Sequence, residues 1–218
     1  MNATSKQEQL AELFRQATVI PVLTIERLED AVPLAKALVA GGVRTLEVTL
    51  RTPVAIEAAK AMIANVPDAI VGIGTILNAD DLARTEALGA KFGISPGATS
   101  DLLTAAAASR LPFAPGIATA SELMQALAHG FDLVKFFPAE QSGGITALRA
   151  LAGPFPNVRV CPTGGIGEAN AASWLAEPNV LAVGGSWLCP AADIRNGNWA
   201  GITAMCERAM KSLKPASR

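Results

Sequence analysis

The chain has 218 residues, 50% of them hydrophobic and 17% charged, with a formal net charge of −1. This composition excludes a disordered chain and suits an α/β fold whose strands are covered on both faces. Lysine and arginine are scattered along the chain rather than clustered, which argues against nucleic acid or an anionic membrane as a partner and favours a small molecule.

The N-terminal segment, residues 1–17, is predicted to form a helix that precedes the repeated part of the chain. It is polar, with one helical stripe at Leu10, Leu13 and Phe14, and it lacks the apolar core of a signal peptide. No later stretch is apolar and unbroken enough to span a bilayer. We therefore expect a cytoplasmic protein.

Short runs of β-branched and aliphatic residues then recur about every 20 to 26 residues, the spacing of a strand, a helix and two short loops. They predict eight strands: Val19 to Ile25, Thr45 to Leu50, Ile70 to Ile76, Phe92 to Ser95, Pro112 to Ile117, Leu133 to Phe137, Val158 to Pro162, and Val180 to Gly184. Ala- and Leu-rich segments with helical spacing lie between them, for example Leu28 to Ala40, Val54 to Ala64, Ala79 to Leu88, Leu102 to Ala108 and Ser121 to Ala128. Thr119 with Glu122, and Asn78 with the acids after it, have the pattern of helix N-caps.

Eight βα units can close into a TIM barrel or remain an open, doubly wound sheet. The count favours the barrel. Polar residues near the carboxyl ends of many different strands favour it too, because a doubly wound sheet gathers its ligand groups at one switch point. We predict a single (β/α)₈ TIM-barrel domain over residues 1–218, with the N-terminal helix in 1–17, the barrel strands and helices in 18–188 and a C-terminal helix in 189–218.

The second predicted strand alternates between apolar and polar residues. Leu46, Val48 and Leu50 point one way and the residues between them the other. In a barrel the apolar set packs against the helices, so Glu47 and Arg51 are expected inside. On this strand alone, a structural ion pair that fills the barrel interior remains open as an alternative.

The sixth predicted strand carries a lysine within the apolar run Leu133-Val134-Lys135-Phe136-Phe137-Pro138. A lysine buried in a parallel strand is costly unless the protein uses it. Burial and a neighbouring cation such as Arg51 both favour the uncharged amine, which is the form that attacks a ketone. The alternatives are a lysine that reaches the rim of the barrel and one that pairs permanently with Glu47.

Lysine, carboxylate and arginine around one cavity predict a metal-free Schiff-base aldolase acting on a small 2-keto acid. The amine of Lys135 condenses with the keto group, and the resulting iminium accepts electrons when the bond between C3 and C4 breaks. Glu47 is the expected base for the C4 hydroxyl and for the other proton transfers. Arg51 is expected to hold the substrate carboxylate through its two-pronged donor geometry.

Two glycine-rich turns follow the seventh and eighth predicted strands. Each is expected to precede a helix and to offer backbone N–H groups to an anion, as phosphosugar barrels do after these two strands. Either turn alone is a weak signal, because glycine turns are common in such loops. The candidate phosphate-binding residues are Thr163, Gly164, Gly165, Gly184, Gly185 and Ser186.

Smaller signals lie at the ends of the third and fourth strands. Gly72 and Gly74 permit close approach of another group, and the Thr75 hydroxyl can bind a carboxylate or keto oxygen. Pro96, in Ser95-Pro96-Gly97, is a further candidate, with the alternative that it only shapes the loop.

Candidate metal ligands are scarce. Cys161, Cys189 and Cys206 stand at unrelated spacings, and His129 is the only histidine. No zinc-type ligand set can be assembled from them. We expect no metal and no cofactor, cysteines that are reduced packing residues, and His129 at a helix end.

Six segments of the chain together resemble the 2-keto-3-deoxy-6-phosphogluconate (KDPG) aldolases of the Entner–Doudoroff pathway, which in many bacteria also cleave 4-hydroxy-2-oxoglutarate (KHG). The resemblance runs from about Val19 to Trp187. The segments are Glu47-Val48-Thr49-Leu50-Arg51, Gly72-Ile73-Gly74-Thr75, Ile94-Ser95-Pro96-Gly97, Lys135-Phe136-Phe137-Pro138-Ala139-Glu140, Pro162-Thr163-Gly164-Gly165-Ile166 and Gly184-Gly185-Ser186-Trp187.

The resemblance implies a class I TIM-barrel enzyme, usually a homotrimer, that yields pyruvate and glyceraldehyde 3-phosphate. It implies that Lys135 forms the Schiff base and that Glu47 transfers protons. The pyruvyl-side residues it implies are Arg51, Thr75, Pro96 and Phe137, and the phosphate-side residues are Thr163, Gly164, Gly165, Gly184, Gly185 and Ser186.

Other activities remain open on these residues. An aldolase acting on the galacto epimer, 2-keto-3-deoxy-6-phosphogalactonate, or one preferring unphosphorylated KHG, fits the same pattern. A non-catalytic phosphate-binding barrel would have no reason to keep Lys135 and Glu47 on facing strands, and a metal-dependent epimerase would need histidines that the chain lacks.

Overall fold

Strands and helices alternate along the chain, of which the computed structural model describes residues 5–213. The strands are β1 (Val19–Leu23), β2 (Thr45–Thr49), β3 (Ile70–Gly74), β4 (Gly93–Ile94), β5 (Phe113–Ala114), β6 (Gly116–Ile117), β7 (Leu133–Phe136), β8 (Arg159–Pro162) and β9 (Val183–Gly185). The helices are α1 (Lys6–Ala17), α2 (Ala31–Ala40), α3 (Ala55–Asn65), α4 (Ala79–Ala87), α5 (Ser100–Ala108), α6 (Ala120–Ala128), α7 (Gly144–Ala152), α8 (Ala171–Leu175), α9 (Ala191–Arg195) and α10 (Trp199–Ser212). Each predicted strand is present within a few residues of its predicted bounds.

The strands form a curled parallel sheet in which the first strand lies beside the last. One set has the order β5-β4-β3-β2-β1-β9 and the other the order β6-β7-β8. The β1–β9 pairing puts Val19 opposite Val183. Two isolated parallel bridges, Val160 to Val180 and Thr163 to Gly184, connect β8 with the segment that contains β9. The carboxyl ends of the strands therefore share one end of the sheet, where ligand-binding loops of α/β proteins lie.

The fifth predicted strand, Pro112 to Ile117, is divided into β5 and β6, which corrects the sequence prediction. Pro115 stands at the break and has no N–H with which to continue a ladder. Beyond it, the Gly116 N–H donates to the Oγ of buried Ser95 at 3.2 Å. Gly116 has no room for a side chain, because a Cβ there would lie 2.3 Å from the carbonyl group of Pro96. This joint fixes the turn after β4 against β6.

Helix ends follow the predicted caps. Thr119 and Glu122 form the capping box of α6, each side chain accepting a backbone N–H at the other residue. Asn78 caps α4 through its side-chain oxygen. His129 ends α6, with its ring Nδ1 2.8 Å from a carbonyl oxygen one turn back. Within residues 5–213, no helix combines the length and apolar character needed to cross a bilayer.

The described part of the C-terminal segment, residues 189–213, contains two helices where the sequence predicts one for 189–218. Gly197, with φ 64°, turns the chain out of α9, and the Asn198 side chain caps the start of α10. Residues 214–218, which the prediction also assigned to a C-terminal helix, lie outside the described part of the chain, as do residues 1–4 of the predicted N-terminal helix.

Helix α1 covers the amino-terminal end of the sheet interior. Leu10 and Phe14 are buried in one cluster with side chains from β1, β4, β7 and β8. Gln7 anchors the helix, because its Nε2 donates to the Phe113 carbonyl and its Oε1 accepts the Leu133 N–H, both at 2.9 Å. These two backbone groups begin β5 and β7, so α1 closes the end of the sheet opposite the candidate ligand-binding loops.

Ion pairs attach the outer face of α1 to the starts of β7 and β8. The Arg159 guanidinium donates to Glu8 at 2.7 Å and to Asp132 at 2.8 Å. Arg15 donates to the same Glu8 at 3.0 Å. The hydrogen bonds from Arg15 and then from Arg159 lower the pKa of the Glu8 carboxyl.

Candidate active site

Lys135 and Glu47 form a buried ion pair inside the curled sheet. The Lys135 Nζ lies 3.2 Å from the Glu47 Oε1, and the two side chains are 4% and 2% exposed. β7 places the lysine between its ladder neighbours, opposite Gly116 on one side and Cys161 on the other. The structure therefore confirms that the two side chains face each other, and neither reaches the rim of the sheet.

Gly74 makes room for the Glu47 carboxylate. A Cβ on Gly74 would lie 2.0 Å from the Glu47 Oε1 and 2.7 Å from its Cδ, so a side chain there would have to displace the carboxylate. The ring of Phe92 likewise occupies the space beside Gly72, two residues earlier on β3. The glycines of this strand thus allow the close approach that the sequence predicts, and the group that approaches Gly74 is the glutamate.

Arg51 lies outside the sheet, which corrects the prediction that it points into the barrel beside Lys135. Strand β2 ends at Thr49, and Arg51 follows in an exposed turn. Its Nε donates to the Thr75 Oγ1 at 3.3 Å. The alternation of β2 cannot be extended past the strand end, so the arginine reaches the carboxyl-end mouth of the site.

Thr75 has a backbone conformation that threonine rarely adopts, with φ 61° immediately after β3. Such a left-handed residue with a branched side chain costs about 1 to 3 kcal/mol, and residues of this kind cluster at functional sites. The turn holds the hydroxyl where Arg51 donates to it. Arg51 and Thr75 together form a polar pair at the carboxyl ends of β2 and β3.

Phe137 and Pro96 stand on two loops that follow strands at the same end. The Phe137 ring centroid lies 5.2 Å from the Lys135 Nζ, within the range of a cation–π contact. Pro96 is half-buried and is held by the contact of its carbonyl group with Gly116. Phe137 is therefore next to the amine, and Pro96 belongs to a fixed turn beside β6.

The two glycine-rich turns lie side by side. The bridge between Thr163 and Gly184 joins them, and a Cβ on Gly184 would lie 2.2 Å from the Thr163 Oγ1. The Trp187 ring occupies the space beside Gly185, because a Cβ on Gly185 would lie 2.0 Å from a ring atom. The six predicted phosphate-side residues are thus brought together at the carboxyl ends of β8 and β9.

The backbone of these turns is shaped to present N–H groups. Gly164 and Gly165 have φ 102° and 75°, a region that favours glycine. Among residues 5–213, no group accepts a hydrogen bond from the N–H of Gly165 or of Ser186. Backbone N–H groups directed outward from adjacent turns form an anion-binding concavity.

The cysteine nearest the lysine is an uncharged packing residue. Burial and, to a smaller extent, the Glu47 charge raise the pKa of the Cys161 thiol to about 12, although Lys135 and Thr163 partly offset them. Burial also raises the pKa of Cys189 to about 12 and that of Cys206 to about 11. All three thiols are free and protonated at neutral pH, so they do not compete with the amine as nucleophiles.

The turn after β8 is held by residues to which the sequence analysis assigned no role. Glu140 and Asn170 hydrogen-bond to each other, and Asn170 bonds to the turn itself. Glu140 lies in the lysine segment, but nothing in the local pattern says which turn its side chain meets. Asn170 stands in a loop at the start of a five-residue helix, where its sequence context gives no signal.

Comparison with known proteins agrees with this geometry. The family model described as KDPG and KHG aldolase matches residues 10–205. The KHG/KDPG aldolase of Escherichia coli (strain K12) is 53% identical over 196 residues, 90% of this chain and 92% of that protein. A KDPG aldolase from Legionella pneumophila, solved with pyruvate captured as a covalent carbinolamine intermediate, has a TM-score of 0.90 and 48% identity, covering 94% of this chain and 98% of that chain. The KDPG aldolase of Zymomonas mobilis ZM4, solved with 3-phosphoglycerate, has a TM-score of 0.91 and 46% identity, covering 97% and 99%.

The fold and the buried lysine–carboxylate pair place this chain among enzymes of the lyase class that cleave carbon–carbon bonds. The chain belongs to the KDPG and KHG aldolase family.

Proposed function

We propose that this enzyme cleaves KDPG to pyruvate and glyceraldehyde 3-phosphate through a Schiff base on Lys135, with Glu47 as the proton-transfer residue. The observation that carries this proposal is the contact of 3.2 Å between the Lys135 Nζ and the Glu47 Oε1 in a buried site. A buried amine with one carboxylate partner can lose its proton to that partner and become the free base without any other group.

The reaction follows from this proton exchange. Glu47 takes a proton from the Lys135 ammonium, and the free amine attacks the C2 carbonyl carbon of the substrate. Glu47 returns a proton to the carbinolamine hydroxyl, which leaves as water and gives the iminium. The carboxylate then removes the C4 hydroxyl proton, the C3–C4 bond breaks, and its electron pair moves into the iminium to form the enamine.

The cycle closes at the same two residues. The proton held by Glu47 passes to C3 of the enamine, giving the iminium of pyruvate. Water adds to C2 as Glu47 accepts one of its protons, and the carbinolamine collapses to pyruvate and the free amine. Glu47 then returns that proton to Lys135, which restores the starting ion pair. Each proton transfer takes place within reach of one carboxylate, and assistance of this kind contributes roughly 10² to 10⁴-fold to the rate.

The groups at the mouth of the site suit the two ends of the substrate. We assign the substrate carboxylate to Arg51 and Thr75, which are already joined at 3.3 Å. Phe137 beside the amine and Pro96 on its fixed turn form the wall around the pyruvyl carbons. We assign the phosphate to the adjoining turns formed by Thr163, Gly164, Gly165, Gly184, Gly185 and Ser186. The N–H groups of Gly165 and Ser186 have no acceptor among residues 5–213 and are available to it.

KHG is the second substrate that we propose. It carries the same 2-keto acid and C4 hydroxyl, so the chemistry at Lys135 and Glu47 is unchanged, and its products are pyruvate and glyoxylate. The KHG/KDPG aldolase name of the relative in Escherichia coli supports this assignment. KHG has no phosphate and ends in a second carboxylate instead, so it does not make the phosphate contacts that we assign to the glycine turns.

We further propose that the curled sheet is a closed eight-stranded TIM barrel in a single domain with α1 as an extra N-terminal helix. The β1–β9 pairing and the bridges between β8 and β9 support closure on one side, and the short break at Pro115 divides one barrel strand on the other. From the family we also infer a homotrimer, which light scattering would test. Three free, buried cysteines suit the reducing cytoplasm, where we place the enzyme.

Borohydride reduction in the presence of pyruvate tests the proposed chemistry. We expect a stable pyruvate adduct, located on Lys135 by peptide mass mapping. Lys135→Ala should give no adduct and no turnover, whereas Lys60→Ala, at an exposed surface lysine, should behave as the wild type. An adduct at another lysine, or none, would refute the mechanism.

A further inference from the structure

A hydrogen-bonded chain of three side chains lies behind the glycine turn that follows β8. The Glu140 Oε1 accepts from the Trp174 Nε1 at 2.7 Å and from the Asn170 Nδ2 at 3.0 Å. Trp174 is fully buried, at 0% exposure. A buried indole N–H needs an acceptor, so Glu140 is tied to a rigid part of the core.

Asn170 continues this chain into the turn. Its Nδ2 also donates to the Gly165 carbonyl at 3.1 Å, and its Oδ1 accepts the Gly167 N–H at 2.8 Å. The asparagine amide therefore contacts the turn on both sides of Ile166. Only an amide can do this, because the side chain must donate twice and accept once.

Glu140 also contacts the turn directly. Its backbone N–H donates to the Gly164 carbonyl at 3.1 Å. A Cβ on Gly165 would lie 2.6 Å from the Glu140 Cβ, so the turn is packed against this residue. The carboxylate and its backbone thus hold the turn from the side of β7, while Asn170 holds it from the side of α8.

Such support has a function, because a glycine turn does not keep one shape by itself. Glycine gains access to left-handed conformations at the cost of a larger loss of entropy when it is fixed. Fixing the turn before the ligand arrives removes this cost from binding. The N–H groups of the turn then point at the anion in the free enzyme as well as in the complex.

We propose that Glu140 and Asn170 are positioning residues that hold the Gly164–Gly165 turn in its phosphate-binding shape and thereby set the preference for phosphorylated over unphosphorylated substrate. This inference rests on the phosphate site proposed above. It makes no claim on the chemistry at Lys135, since neither residue hydrogen-bonds to the lysine or to Glu47.

Asn170→Asp tests the proposal with almost no change in shape. Aspartate still accepts the Gly167 N–H, but it cannot donate to Gly165 or to Glu140, and it faces the Glu140 carboxylate. We expect the KM for KDPG to rise about tenfold, because the turn loses the donor that holds the Gly165 carbonyl, with kcat nearly unchanged. The kcat/KM for KHG should stay within about twofold of the wild type.

A half-reaction provides a readout that does not involve phosphate. The enzyme should exchange the C3 protons of pyruvate with D₂O through the enamine, and NMR follows this exchange. The rate should be the same in Asn170→Asp and wild type. Asn196→Asp, at an exposed residue that ends α9, makes the same chemical change elsewhere and should leave all parameters unaltered.

Variants of Glu140 test the positioning role independently. Glu140→Ala removes the acceptor for both Trp174 and Asn170, and it should raise the KM for KDPG as Asn170→Asp does. Glu140→Gln keeps a carbonyl oxygen for these donors, and it should restore most of the affinity for KDPG lost in the alanine variant. Thermal unfolding of each variant shows that the fold is retained.

The outcomes separate this proposal from the function on which it rests. If Ser186→Ala raises the KM for KDPG but Asn170→Asp does not, the positioning role is wrong and the phosphate site stands. If Ser186→Ala has no effect on that KM, the phosphate site itself is wrong. A loss in Asn170→Asp that is equal for KDPG, KHG and pyruvate exchange also overturns the proposal, because a merely structural residue would act on all three.

Discussion

The Glu47 carboxylate occupies the space in which Gly74 would otherwise carry a side chain, with the Oε1 only 2.0 Å from the position of that Cβ. The absence of a side chain at Gly74 on β3 therefore permits the position of the proposed base. The glutamate is fixed by β3 as much as by its own strand, and this relationship can be tested from the side of the glycine.

Gly74→Ala should displace the carboxylate and slow turnover. Misplacing a catalytic group by about 1 Å costs roughly 10²-fold in rate, so we expect a fall in kcat of that order. Steady-state kinetics with KDPG measures it. Gly153→Ala is the matched control, because the nearest atom to its Cβ lies 3.7 Å away. Unchanged kcat in a folded Gly74→Ala enzyme would contradict the placement of the base.

Glu47→Gln should keep the shape of the site and remove its base. We expect kcat to fall by roughly 10² to 10⁴-fold, and the exchange of the C3 protons of pyruvate with D₂O to fall in parallel, because both steps use the same carboxylate. Stopped-flow turnover and NMR measure the two rates. A variant that loses cleavage but keeps wild-type exchange would show that another group protonates the enamine.

Ser186→Ala should act on binding of the phosphorylated substrate. The serine follows β9 and carries one of the outward N–H groups, and its hydroxyl supplies a further donor. Loss of that hydroxyl should raise the KM for KDPG about tenfold and leave the KM for KHG unchanged. Ser121→Ala, at an exposed position of α6, is the control. Equal increases for both substrates would argue against a phosphate at this turn.

Gln7→Ala should destabilise the fold without touching the site. The substitution leaves the Phe113 carbonyl and the Leu133 N–H without their partner, and unpaired buried groups of this kind cost about 2 kcal/mol. Urea unfolding measures the free energy. Gln16→Ala lies on the exposed face of the same helix and should change stability by less than about 0.5 kcal/mol.

The Glu8 carboxylate should make stability depend on acid pH. Hydrogen bonds from Arg15 and Arg159 lower its pKa below the ordinary 4.5, so the folded state releases this proton more readily than the unfolded chain. The resulting stability is present above the ordinary pKa and is lost as the pH falls through the lower, folded-state value. The Tm of the wild type should exceed that of Glu8→Gln at neutral pH, and the gap should close in acid. A gap that persists when Glu8 is protonated would assign the effect to packing instead.

Sequence patterns correctly predicted that Lys135 and Glu47 face the sheet interior, because strand alternation is a local property. A lysine in an apolar run and a glutamate on the polar side of an alternating strand both have to face the sheet interior, and Lys135 and Glu47 do. The same pattern failed for Arg51, because alternation says nothing about where a strand ends. Leu50 already belongs to a turn, and the arginine after it leaves the sheet.

The hydrogen bonds that hold the loops of the candidate site could not be predicted from the sequence. The sequence shows Pro115 within the fifth predicted strand, but the Ser95 hydroxyl that bonds the chain beyond it comes from the turn after β4. Asn170 and Trp174 act through Glu140, a residue about 30 positions earlier in the chain. Such contacts depend on how separate βα units are packed together, which no local periodicity encodes.

The pairing of β1 with β9 has a consequence for synthesis on the ribosome. Lys135 and Glu47 are translated well before Val183–Gly185, the strand that completes the proposed phosphate side of the site. Until that strand emerges, one edge of β1 is bare and Thr163 has no Gly184 beside it. A nascent chain therefore carries its proposed nucleophile before the proposed phosphate site exists, and the two parts of the candidate site come together only when the final βα unit has been made.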